Sequence, residues 1–324
     1  MNSRREHLAF LAPNAGTHPG LWLEKGILTP DDKGAKQKHF EDLLSVAAVP
    51  GDYRRFYQRW REAVQKLEPC TLVAEATVLG RLVVGLGAES VLETAITLHR
   101  TYGVPFIPGS ALKGLAASAA HKRLEPTDWR KVQEDGTPGA AHRILFGDTA
   151  SSGYVTFHDA LWIPEGDRLF LDLDVMTVHH QDYYQGLGLP PADWDNPVPV
   201  PFLSARGRFL LAVTGPEEWA DAALGILQQA LEHDGAGAKT AAGYGRMKVA
   251  SRALPPKTLW ETSVAALHHG NAASEVPRIL DSLTGEDRRR AACAILANFG
   301  KRNLNRKRDK EWVQRVFEAA GLEG

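Results

Sequence analysis

The sequence predicts an α+β fold of the ferredoxin-like kind: a βαββαβ core with a long inserted hairpin and a helical C-terminal extension. Three observations predict it. Strand-like stretches alternate with two stretches whose apolar residues recur at helical spacing. A segment rich in Pro, Asp and Trp separates the middle strands, and after Pro255 the pattern turns helical and basic.

Residues 1–70 read as an N-terminal arm and a helix that packs on the core. Residues 1–50 mix Gly, Pro and the charged run Asp31–Lys38, and read as extended. Asp52–Leu67 carries Phe56, Trp60, Val64 and Leu67 at helical spacing, and Pro69 ends that helix. Thr71–Leu79 is rich in β-branched residues and opens the core, which spans 71–255. Ser110 is placed to cap a helix running to about Leu124, where Ala111, Gly114, Ala116 and Ala117 permit close packing. Tyr154–Trp162 and Leu169–Val178 alternate as strands do, and the insertion covers about 176–201. Arg206–Thr214 is another strand. Pro216–Leu231 is a helix opened by Pro-Glu-Glu, which suits a first turn, and Arg246–Ala250 is the last strand. Residues 256–324 read as helical with breaks at Gly270, Pro277 and Gly285. Within them Arg302, Arg306 and Lys310 would line one side of a helix.

With 324 residues, 44% of them apolar and 24% charged, the chain is of the soluble globular class. No apolar run reaches the roughly 20 residues that span a bilayer. The start of the chain lacks a signal-peptide core, so a cytoplasmic protein without membrane attachment is expected. Cys70 and Cys293 are the only cysteines, which excludes a cysteine-based zinc site; no metal or other cofactor is expected. The net charge of −1 means that any nucleic-acid binding comes from local basic patches.

Gly235-Ala-Gly-Ala-Lys-Thr-Ala-Ala-Gly-Tyr-Gly-Arg246 puts four glycines, a lysine and an arginine into twelve residues between a helix and a strand. Such a loop can aim N–H groups at a phosphate, with Lys239 and Arg246 adding charge. It is neither a Walker A loop, where glycine precedes Lys-Thr and this chain has Ala238, nor a Rossmann fingerprint, which follows a strand and opens a helix. A tight turn explains Gly243 and Gly245 but not Lys239 and Thr240 between glycines, which suit contact with a phosphate. Lys113 falls in the first turn of its helix, where a cation calls for an anion beside it. His179 and His180 are adjacent and so point to opposite faces of a strand, which argues against one metal holding both. Tyr183 and Tyr184 beside them suit base stacking or a protein–protein surface. Asp148 and Asp159 could bind magnesium, but their positions at a turn and a strand end suit capping.

The loop resembles the signature loop of the RAMP superfamily, RNA-binding proteins of CRISPR effector complexes. Val104-Pro-Phe-Ile-Pro-Gly-Ser-Ala-Leu-Lys-Gly114, and Phe146-Gly-Asp148 with Gly153-Tyr-Val-Thr-Phe-His-Asp-Ala160, are similar to two more of its motifs. Val84–Gly87, Leu92–Thr94, Leu98-His99, Val178–Tyr184 and Asp193–Pro197 resemble the sixth RAMP subunit family of type III-B (Cmr) complexes, over about Asn14 to Val249. The resemblance implies an RRM-like core and a non-catalytic subunit that binds crRNA near its 3′ end, capping the backbone. It also implies neighbouring backbone subunits, the head RAMP subunit and, indirectly, target RNA as partners. On the matching positions it implies RNA contact by Ser110, Lys113, Gly235, Gly237, Lys239, Thr240, Gly243, Tyr244 and Arg246. The insertion, with His179, His180 and Tyr183, becomes a candidate for the hairpin thumb that wedges between crRNA nucleotides in related backbone subunits. Two other functions stay open: a metal-independent crRNA-processing endoribonuclease using His99, and a structural assembly subunit without RNA contact.

Overall fold

The computed structural model describes residues 12–125, 127–132, 136–167, 171–178, 180, 183, 186, 190–192, 197–250, 263–264 and 267–322. The chain divides into two compact units, residues 1–253 and 254–324.

The first unit is mixed α/β. Its strands are β1 (Thr71–Val78), β2 (Phe106–Ile107), β3 (Thr156–Phe157), β4 (Ala160–Trp162), β5 (Leu171–Val178), β6 (Val198–Ala205), β7 (Arg208–Thr214) and β8 (Met247–Val249). Its α-helices are α1 (Pro19–Lys25), α2 (Lys33–Val46), α3 (Gly51–Val64), α4 (Gly109–Arg123), α5 (Ala140–Phe146) and α6 (Glu217–His233). The main sheet is antiparallel in the order β2-β4-β7-β1-β8, with β3 also on β7, while β5 and β6 pair as a separate hairpin.

β1 is central in the sheet and carries one wholly apolar face, Leu72, Ala74, Ala76 and Val78. It pairs β7 from Thr71↔Thr214 to Thr77↔Arg208, and β8 from Ala76↔Val249 to Val78↔Met247. Residues opposite one another share a face. Thr71, Val73 and Glu75 therefore lie with Thr214, Ala212 and Leu210, and α3 covers them. Trp60 of α3 meets His158 edge-on at 6.4 Å, and His158 Nε2 lies 2.8 Å from Thr214 Oγ1. Leu72, Ala74, Val213 and Leu211 occupy the opposite face, all of them buried. Helices α4 and α6 pack side by side and against the sheet strands.

Two expectations about chain organisation need correction. Residues 1–50 are not all extended: Pro19–Lys25 and Lys33–Val46 are helical. The charged run opens α2, with Asp32 Oδ1 accepting the N–H groups of Gly34 (2.8 Å) and Ala35 (3.2 Å). Lys36, His39, Phe40 and Leu43 then fall on one buried face. The segment expected as one strand at Tyr154–Trp162 is two. Phe157 pairs Val213 and Leu161 pairs Leu210, so four steps on one strand match three on the other. That extra residue is a β-bulge. It aims Asp159 at α4, where the Gly109 N–H donates to its Oδ1 at 2.7 Å. Ser110 is therefore not the cap: Pro108 holds the N-cap position without a side-chain bond, and the cap comes from Asp159.

The second unit is helical: α7 (Ala272–Asp281), α8 (Gly285–Phe299), α9 (Lys301–Asn305) and α10 (Glu311–Ala319). Val276, Leu280, Ile295, Val313 and Val316 fill its own core. Pro277 does not break α7, because Val276, Ile279 and Leu280 are buried around it and hold the helix together. Arg302, Arg306 and Lys310 do not share a helix: α9 ends at Asn305 and α10 starts at Glu311.

Candidate nucleic-acid interface

The glycine-rich loop leaves α6 at Asp234 and is sewn to the segment after β1. The Ala238 N–H donates to Val83 O (2.8 Å), Gly245 N–H to Arg81 O (2.7 Å), and Ala236 N–H to Gly245 O (2.9 Å). This closeness demands three of the glycines: even a Cβ on Gly235 would sit 2.8 Å from Tyr244 O. A Cβ on Gly237 would sit 2.2 Å from Val83 O, and one on Gly245 would sit 1.8 Å from Ala236 O. Both also have positive φ, at 82° and 73°. A Cβ at Gly243 would meet nothing within 4 Å, so only its φ of 88° calls for glycine. Gly235, Ala242 and Tyr244 also donate their N–H groups to main-chain carbonyls. Most of the amides expected to cradle a phosphate are thus spent within the fold, and the loop offers side chains instead.

Those side chains go two ways. Lys239 has φ 59°, and its ammonium lies 5.7 Å from the centroid of Phe202 on β6 and 3.9 Å from Met176 Sδ on β5. Tyr244 Oη donates to Asp174 Oδ2 on β5 at 2.7 Å, and its ring lies 6.0 Å from that of Phe202. Burial and the Asp174 carboxylate push the phenol up to about 12. Arg81 and Arg206 both hold Asp172, at 3.1 and 2.5 Å, and are spoken for. Arg246 faces solvent, as does Lys248 two residues on along the edge strand β8. Among the described residues neither makes an ion pair. Thr240 is half-buried in a short turn. Sequence reasoning missed Lys248, which the alternation Arg246-Met247-Lys248-Val249 could have shown.

Lys113 and Ser110 lie elsewhere. With α4 starting at Gly109, Lys113 is its fifth residue, past the first turn where the helix dipole acts. It lines an open cleft of about 530 Å³ with Ser110 and the loop Asp148–Gly153. Asp148 closes its own turn by accepting from the N–H groups of Ala150 (2.8 Å) and Ser151 (2.7 Å), which hold its carboxyl below the usual range. The C-terminal end of α4 is the end near the glycine loop: Arg123 pairs with Asp234. Ten residues separate Lys113 from Arg123, about 15 Å at 1.5 Å per residue. The structure therefore keeps Lys113 and Lys239 at opposite ends of α4 rather than in one pocket.

His180 is half-buried and Tyr183 exposed, and His179 lies outside the described residues. His99 sits among the rings of Phe56, Tyr102 and Phe106, at 5.5, 4.9 and 5.9 Å. Its Nδ1 accepts the Thr101 N–H at 3.2 Å, and burial lowers its pKa, which keeps it neutral at pH 7.

The RAMP superfamily model matches residues 75–248. The CRISPR system Cmr subunit Cmr6 of Pyrococcus furiosus is 34% identical over 247 residues, covering 60% of this chain and 72% of that protein. A chain in the cryo-EM structure of the type III-B Cmr-beta bound to cognate target RNA superposes with a TM-score of 0.53 at 19% identity. The match covers 67% of this chain and 72% of that one and speaks to the fold. The crystal structure of Cmr6 from Pyrococcus furiosus aligns at 33% identity over 55% of this chain and 97% of that chain, with a TM-score of 0.36. The chain belongs to the RAMP superfamily and, within it, to the Cmr6 subunits of CRISPR Cmr systems.

Proposed function

We propose that the chain is a non-catalytic crRNA-binding subunit of a type III-B CRISPR effector that targets RNA, working in the cytoplasm. It caps the backbone near the crRNA 3′ end, beside neighbouring backbone subunits and the head RAMP subunit. The observation that carries this reading is a set of cations without carboxylate partners among the described residues: Lys113 at one end of α4, and Lys239, Arg246 and Lys248 toward the other. Spaced cations suit the phosphates of an extended strand better than one small anion, and phosphate contacts set register without reading sequence. The strand order β4-β7-β1-β8 with α4 and α6 as crossovers supports a ferredoxin-like core. Unlike an RRM, whose open sheet face stacks bases, this sheet has α3 over one face and α4 and α6 against it, so loops and edges are left for RNA.

His99 supports no cutting role. Its Nδ1 is engaged by its own loop, its ring is packed among aromatics, and no carboxylate among the described residues orients it. The structural assembly reading draws on one observation: the close packing at Gly237 and Gly245 accounts for those glycines without RNA.

The test is titration of labelled single-stranded RNA with the wild type, Lys113→Ala/Lys239→Ala and His99→Ala, with a gel for cleavage. The proposal expects weaker binding by the double variant, unchanged binding by His99→Ala and intact RNA throughout. Discrete cleavage lost in His99→Ala would establish the endoribonuclease. Equal RNA affinity, with Lys239→Ala failing only in assembly with Cmr subunits, would establish the structural reading.

A further inference from the structure

We infer that Tyr244 and Asp174 are positioning residues: their hydrogen bond fixes the β5–β6 hairpin on the glycine-rich loop, so that loop and hairpin present one RNA-facing surface. This rests on the RNA-binding reading above. The two strands of the hairpin pair with each other, from Leu171↔Ala205 to Val178↔Val198, and lie off the main sheet. A two-stranded hairpin alone is marginal in water, so its orientation comes from what it touches.

Helix α2 packs against both strands, Thr94 Oγ1 donates to Pro201 O at 3.2 Å, and two further levels of contact reach the segment after β1 and the glycine loop. At its base, Leu82 bridges to Ala205, and Asp172 holds Arg81 and Arg206. Two residues further out, Asp174 accepts from Tyr244 Oη at 2.7 Å. On the same side, the Lys239 ammonium rests 5.7 Å from the Phe202 ring centroid. Asp174 pairs with Phe202 across the hairpin, so both loop contacts land on one cross-strand pair. Both loop residues lie where the backbone is least free to drift: Lys239 is left-handed, and Tyr244 precedes Gly245, whose N–H is held by Arg81 O. The loop is the rigid partner, and the hairpin is what it orients.

The face of the hairpin opposite Asp174 and Phe202, buried at Leu171 and Leu203, exposes Val175 (54%) and Thr177 further out. Freeing the latch leaves the base, the α2 contacts and the Thr94 bond in place but releases the hairpin from the loop, so this face shifts relative to Lys239 and Arg246. RNA spanning both would then lose contacts that no single cation supplies.

The experiment uses the full chain in four forms: wild type, Tyr244→Phe, Asp174→Ala and Asp174→Asn, the last retaining an acceptor oxygen. Hydrogen exchange of the β5–β6 amides is read beside that of β1 and β7, with affinity for a labelled oligouridylate measured in parallel. Tyr244→Phe and Asp174→Ala are expected to speed exchange in the hairpin about tenfold and to weaken RNA binding about tenfold, with β1 and β7 unchanged. Asp174→Asn stays close to wild type in both. Unchanged hairpin exchange would overturn the latch. Faster exchange with unchanged affinity would overturn its role in positioning. If the wild type itself binds no RNA, the RNA-binding reading fails and the positioning role with it, while exchange still reports whether the latch exists.

Discussion

Lys239 holds a left-handed backbone conformation, at φ 59°, that costs a non-glycine residue about 1–2 kcal/mol. A local strain is kept only where its surroundings over-determine it. Here the fixed loop on either side and the Phe202 ring do so. Lys239→Ala and Lys239→Gly both remove the ammonium, but only glycine relieves the backbone. Equal losses of RNA affinity are expected, with a urea midpoint for Lys239→Gly at or above that of Lys239→Ala. A lower midpoint for the glycine variant would show that the backbone is not strained. His142 poses the opposite problem. It is 4% exposed, packed against Phe146 at 4.9 Å, and neither ring nitrogen has a hydrogen-bond partner among the described residues. Burial first, then Lys131, His121 and Lys113, lower its pKa from 6.5. His39, His99 and His158 are lowered as well, chiefly by burial. With folded values below the unfolded one, the unfolded chain takes up protons first as pH falls below 6.5, so stability drops there. Urea midpoints at pH 7 and about pH 5.5 should show that drop. His142→Phe should reduce it while leaving stability at pH 7 equal or higher, since an apolar ring there leaves no unpaired nitrogen.

At the scale of elements, the bulge between β3 and β4 matters most, because it turns Asp159 into the cap of the helix that carries Lys113. Asp159→Ala is expected to cost about 1 kcal/mol in urea unfolding, and Asp159→Asn, which keeps an acceptor, less. An alanine variant as stable as wild type would show that the cap contributes nothing. Much of this level was legible. Runs of β-branched residues at Thr71–Val78 and apolar spacing in Glu217–His233 mark β1 and α6, since burial and period coincide there. α2 was hidden because its buried face includes Lys36, which reads as surface yet is covered and paired with Glu93 at 2.8 Å. The bulge left no trace, because one extra residue does not disturb local alternation. The capping roles of Asp148 and Asp159 were legible from their positions after a turn and at a strand end. What Lys239 and Tyr244 touch was not, since β5 lies about 65 residues upstream and no local pattern links them.

At the scale of the whole molecule, the chain joins a RAMP unit to a separate helical unit and carries a net charge of −1. With so little net charge, long-range attraction to RNA is weak, and binding must rest on a few placed cations. The structure separates these cations along α4 instead of gathering them, which is the geometry of a surface that follows a strand. The most direct test is a salt series. Labelled single-stranded RNAs of two unrelated sequences would be titrated with the wild type and with Lys113→Ala/Lys239→Ala/Arg246→Ala. The account predicts that log K of the wild type falls linearly with log salt, equally for both sequences. The triple variant should show a slope shallower by about 2, from three lost contacts at about 0.7 each. Identical affinity and slope for the two proteins, or strong preference for one sequence, would contradict it.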